Sequence, residues 1–151
     1  MNQLYVNVLR ENIDKLNLSA EWIKRSYEKA CKITSTKDYS TDDFDSLEVL
    51  ASRYARTTDL LVNKVLRSID TVEYEDIGTI IDIMNRAEKR RIVSSAESLR
   101  TIKDLRNSIV HEYRIDEIAG FFADILRYTP VLLEIIDKVN IYCEKYFSKK
   151  N

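Results

Sequence analysis

The chain has 151 residues, a formal net charge of −1 and 44% hydrophobic side chains. That is the size of one domain with a substantial core, and near-neutrality excludes a global basic field, so any nucleic-acid contact needs a local patch. Two glycines and one proline are too few for a sheet protein built on tight turns.

In chain order, Leu4, Val8, Leu9, Ile13 and Leu16 predict a helix over 3–17 with these residues on one side. Ser19 then reads as an N-cap, with Glu21 in the first turn, for a second helix over 20–34 carrying Trp22, Ile23, Tyr27, Ala30 and Cys31. The polar stretch 35–43 is turn-like. It divides an N-terminal helical hairpin, residues 1–40, from a four-helix domain, residues 41–151.

The next helix is expected to be long, 44–69, with Leu47, Leu50, Ala51, Tyr54, Leu61, Val62, Val65 and Ile69 at helical period. A break follows at 70–75, then a helix over 76–88 that includes Gly78. Lys89-Arg90-Arg91 forms a basic turn. Ser94 and Glu97 match a capping box and open a helix that ends near Tyr113 or Arg114. Asp116 caps a last helix over 117–147, in which Pro130 predicts a kink. The fold class is therefore all-α, an antiparallel up-down bundle with an N-terminal hairpin extension.

The N-terminus has no basic start and apolar run of a signal peptide, and no apolar run approaches the roughly 20 residues needed to span a bilayer. A cytoplasmic protein without a membrane partner is expected. The two cysteines, Cys31 and Cys143, are expected to be buried thiols, and with one histidine in the chain no metal site is expected. No glycine-rich phosphate loop is present, so a classical NTPase is not expected, and no cofactor is expected.

The most informative stretch is Arg106-Asn107-Ser108-Ile109-Val110-His111-Glu112-Tyr113. His111 is the one residue of its type, and its imidazole is the side chain that exchanges protons near neutrality. At about 100° per residue, Arg106 and Tyr113 lie about 20° apart, while Arg106 and His111 lie about 140° apart. Leu99, Ile102, Leu105 and Ile109 make the apolar stripe. Arg106 and Tyr113 fall at its edge, and Asn107 and His111 share the polar side with Arg100 and Asp104. The wide separation of Arg106 and His111 leaves three ways to complete a site: a bent arginine side chain, an irregular helix, or a second subunit.

Arg-x-x-x-x-His-x-Tyr in this helical order resembles the HEPN domain, an all-helical family rich in prokaryotic ribonuclease toxins, and in particular its HepT-like branch. The resemblance covers roughly residues 44–147. It implies metal-independent RNA cleavage, with Arg106 holding the phosphate, His111 transferring protons and Asn107 orienting the histidine or a phosphate oxygen. It implies a homodimer whose motif helices face one cleft. It also implies a minimal nucleotidyltransferase antitoxin as partner, with Tyr113 as acceptor of an AMP group. Lys89, Arg90, Arg91, Arg100, Lys103 and Arg114 are weaker candidates for RNA phosphates. The alternative within the family is a non-catalytic protein that binds a nucleotidyltransferase or a nucleotide.

Overall fold

The structure, a computed structural model, describes residues 1–33, 38–109 and 117–148. Asn2 accepts the Leu4 N–H and starts α1, which runs unbroken over Gln3–Ala30. The expected hairpin is thus a single helix. Leu9, Ile13, Leu16, Ala20 and Ile23 are all buried, and their steps of three and four continue one stripe straight through Ser19. Ser19 caps nothing; its hydroxyl shares a 2.7 Å hydrogen bond with the Thr57 hydroxyl. Leu4 and Val8, expected with the core residues, are exposed, as is Trp22. The first thirty residues are not a separate layer, because α1 feeds the same apolar cluster as the rest.

Ser40 and Asp43 form a reciprocal capping box, so α2 starts earlier than expected and spans Thr41–Asp59. The rod continues through a π-helical segment, Leu60–Leu66, into α3, Arg67–Val72. The packing explains the wide turns. The buried pairs Thr57-Thr58, Leu61-Val62 and Val65-Leu66 recur every four residues. In an α-helix each four-residue step advances about 40°, and two such steps would carry the pair off the core. The i→i+5 turn absorbs that drift and keeps all three pairs inward.

Tyr74, at φ 57°, reverses the chain after α3. Thr79 and Asp82 then form a second capping box, which starts α4, Ile80–Lys89, four residues later than the sequence pattern predicts. Ile77, counted in that pattern, is fully exposed. Gly78 has a local reason: a Cβ there would stand 2.7 Å from Asp82 Oδ2 and 2.8 Å from its Cβ. Ser95, not Ser94, caps α5, Ala96–Ser108, and accepts from Ser98 N–H; Ala96 N–H donates to Glu88. The last helix, α6, covers Ile118–Phe147 and runs through Pro130. Asp116, its expected cap, lies outside the described residues.

The elements form an all-helical bundle, with no strand among the described residues. α1 packs on α2, the π segment, α3 and α6; α5 packs on α2, α4 and α6. An Asn17–Asn140 pair, each amide donating to the other at 2.8–2.9 Å, ties α1 to α6. At the far end of the bundle, Arg90 bridges Asp70 at 2.6 Å and Glu73 at 2.7 Å, and the Tyr142 and Tyr146 hydroxyls donate to Glu73. Cys143 is buried there, and burial pushes its thiol up to about 12. Cys31 is exposed, contrary to expectation, because it follows the last turn of α1. No helix among the described residues is long and apolar enough to cross a membrane.

Candidate active site

Leu99 and Ile102 are fully buried and seat α5 on the bundle. The buried Tyr54 hydroxyl of α2 donates to the Ile102 carbonyl at 3.0 Å. Burial raises the Tyr54 phenol above its ordinary range, so it remains a neutral donor. In the helical ladder that same carbonyl lies four residues before the Arg106 N–H. Tyr54 therefore anchors the turn from which the Arg106 side chain leaves.

The Arg106 guanidinium reaches across to α2. Nε donates to Asp59 Oδ1 and Nη2 to Asp59 Oδ2, both at 2.7 Å. This is the parallel fork geometry that matches guanidinium to carboxylate. Hydrogen bonding to Asp59 raises the Arg106 pKa further, so the cation is permanent. The fork uses two of the five N–H groups, and three remain on the outer edges for another acceptor. Both side chains are partly exposed.

Asp59 is the last residue of α2 before the π-helical segment. Irregular turns of this kind recur where a helix must aim side chains at a site. Sequence reading missed Asp59. A carboxylate between Thr58 and Leu60, inside an otherwise inward-facing run, was the available signal. Its partner is 47 positions away, so only the packing of α5 on α2 reveals the pair.

Arg106 occupies the edge of the α5 stripe as expected, with Leu105 and Ile109 partly buried beside it. Asn107, Asp104 and Arg100 are exposed on the polar side, and Lys103 is partly exposed. The described part of α5 ends at Ser108 with Ile109 as C-cap, short of the expected end. His111, Tyr113 and Arg114 lie outside the described residues.

Of the basic turn, Lys89 and Arg91 are exposed. Arg90 is corrected: its side chain is 8% exposed and bound to Asp70 and Glu73, so it braces the fold and does not offer an RNA contact. The signal for this was not in the run of three cations, which looks uniform, but in the two carboxylates 17 and 20 positions before it.

Among the described residues, no group of three His, Cys, Asp or Glu side chains gathers as for a metal ion. No family model, no curated protein and no solved structure matches the chain.

Proposed function

We propose that the chain is a HEPN-type ribonuclease toxin of a type II toxin–antitoxin system, acting in the cytoplasm on RNA without a metal. The observation that carries this reading is a permanent cation, Arg106, clamped by Asp59 with three donors left over, five residues before the only histidine. A clamped guanidinium is pre-oriented, so less rotamer freedom is lost when it takes a phosphate.

In this reaction the RNA 2′-hydroxyl attacks the adjacent phosphorus. The new P–O bond closes a 2′,3′-cyclic phosphate, and the 5′-oxygen leaves with a proton as a 5′-hydroxyl. His111 takes the 2′ proton or supplies the leaving-group proton, a role worth about 10²–10⁴-fold. Arg106 stabilises the charge that grows on the non-bridging oxygens. Asn107 orients the imidazole or a phosphate oxygen. The second proton carrier is His111 of another copy, in a homodimer whose motif helices share a cleft. Lys89, Arg91, Arg100, Lys103 and Arg114 are the remaining cations for flanking phosphates.

A nucleotidyltransferase partner restrains the activity by moving AMP from ATP to the Tyr113 oxygen, with pyrophosphate leaving. By the helical spacing of the motif, an anion on Tyr113 falls on the Arg106 side and competes with RNA for the same cation. One observation favours a second reading, a non-catalytic nucleotidyltransferase-binding protein: Arg106 already has a carboxylate partner.

RNA cleavage by the purified chain in EDTA tests the proposal. Arg106→Ala and His111→Ala are each expected to cut the rate at least ~100-fold, the usual scale for such groups. Full cleavage by either variant overturns the mechanism. No cleavage by the wild type, with a nucleotidyltransferase still bound, decides for the second reading. Tyr113→Phe is expected to cleave normally yet escape inactivation by transferase and ATP.

A further inference from the structure

Four apolar side chains of α1 face outward, where a monomer's surface gives them nothing to pack against. Leu4 is 66% exposed, Val8 44%, Leu18 57% and Trp22 46%. Glu11 and Lys15, both exposed, lie between them. The steps along 4, 8, 11, 15, 18 and 22 are four, three, four, three, four. That is the a/d seam of a heptad repeat, the pattern by which one helix packs along another. At 100° per residue all six fall within about 80° of arc, centred about 140° round from the buried stripe of the same helix.

The seam is also a palindrome. Turned end for end about Ile13, it sets Leu4 against Trp22, Val8 against Leu18 and Glu11 against Lys15, since each pair of numbers adds to 26. We infer that α1 docks on α1 of a second copy, antiparallel about a twofold axis that crosses the seam midway between Glu11 and Lys15. A twofold contact requires a self-complementary patch, and this one is self-complementary in its order of apolar and charged positions and in the sign of its charges. The two central layers are then Glu11–Lys15 pairs, flanked on both sides by apolar layers. A parallel pairing instead sets Glu11 on Glu11 and Lys15 on Lys15, so charge selects orientation and register together.

The ends of the seam agree with this. Arg53 of α2 donates to the Trp22 carbonyl and the Ser26 hydroxyl, and its guanidinium lies 5.1 Å from the Trp22 ring centroid. A guanidinium thus lies against the indole before any partner arrives. Trp22 and Val49 are the apolar side chains on the wall of an open cleft of about 450 Å³ whose remaining lining is charged or polar, Arg25, Lys29, Asp42 and Asp45 among it. The antiparallel register brings the second copy's Leu4 to that end.

This contact is separate from the proposed active site. On α2, Arg53 and Thr57 turn towards α1, while Asp59 turns towards α5 on the opposite flank. Pairing through α1 leaves the Arg106 face open to RNA, to a transferase or to another motif helix.

Mass by light scattering tests it, at roughly 50 µM, where a micromolar contact is largely formed. Glu11→Lys alone and Lys15→Glu alone each place like charges in both central layers. Each is expected to halve the mass of the assembly while the helical circular dichroism is unchanged. The double variant E11K/K15E restores the complementary pairs and is expected to regain the wild-type mass. An equimolar mixture of the two single variants is expected to recover it as well, now as a mixed pair. A wild type that is monomeric, single variants with undiminished mass, or a double variant or mixture that stays at half mass each overturns the contact. Because the charge swaps lie on α1 and not on the motif helix, their effect on mass separates this contact from the motif-helix pairing of the nuclease reading.

Discussion

Under the proposed function Arg106 has two jobs, and a single substitution separates them by size. Its fork with Asp59 is partly exposed, so solvent screens it, and losing it costs at most about 1 kcal/mol of folding stability. If the outer N–H groups hold phosphate, the same Arg106→Ala change slows cleavage by ~100-fold or more. Urea denaturation beside RNA cleavage reads both. A variant that loses several kcal/mol and no activity makes Arg106 a structural residue. Asp59→Asn keeps the shape but gives up the charge and one of the two acceptors. It is expected to lower cleavage about 10-fold by letting the guanidinium wander, the scale of a small misplacement. No change in rate would show that the fork does not position Arg106.

At the scale of elements, the helical periods were legible and the ends were less so. The stripes of α2, α5 and α6 were readable because their buried residues repeat at fixed steps. The boundary at Ser19 was misread because a serine caps a helix only where the chain turns, and here Leu16, Ala20 and Ile23 carry the packing past it. The π-helical segment was hidden for a subtler reason: a four-residue repeat of buried pairs fits a helical pattern loosely, and only the drift it implies betrays the wider turn. The start of α4 was set by Thr79 and Asp82, and Gly78 leaves the space that this box needs. Gly78→Ala should push on Asp82 and weaken the cap, costing about 1 kcal/mol, the usual size of a lost N-cap. Amide exchange should quicken in the first turn of α4 and not in α5. Unchanged protection there would mean that Asp82 simply moves aside.

For the whole molecule, the node around Glu73 holds three helices at one end. Burial works to raise the Glu73 carboxyl, but the hydroxyls of Tyr142 and Tyr146 and the Arg90 guanidinium outweigh it and hold the pKa below the ordinary range. A carboxyl whose folded pKa is lowered contributes stability that is fully present above its unfolded value, about 4.3. That contribution is lost as pH falls through the folded pKa. The protein should therefore lose stability below about pH 4, and Glu73→Gln should flatten this acid limb while costing about 2 kcal/mol at neutral pH. An acid limb of equal slope in Glu73→Gln would assign it to other carboxylates. None of this was visible in sequence, where Glu73, Arg90 and Tyr146 are separated by 17 and 73 positions from Glu73 onward. The candidate site was partly legible in the same sense: the motif singles out Arg106, whose place at the edge of the α5 stripe follows from its spacing, while Asn107 is exposed on the polar side and Asp59 required the fold.

The Glu73 node also sets a clock. Its carboxylate is made 69 and 73 residues before the two tyrosines that complete its shell. At 5–20 residues per second, the usual pace of synthesis, the growing chain carries an incomplete node for about 4–15 s. Once Arg90 is made, 17 residues into that interval, α3 and α4 can set it between Asp70 and Glu73 but have no third helix to close over them. Chains stalled before Tyr142 should stay open to protease at the α3–α4 turn, and full resistance at that stage would show that the node locks without α6. The shell around Glu73 thus closes only once Tyr146, 73 residues later, has been made.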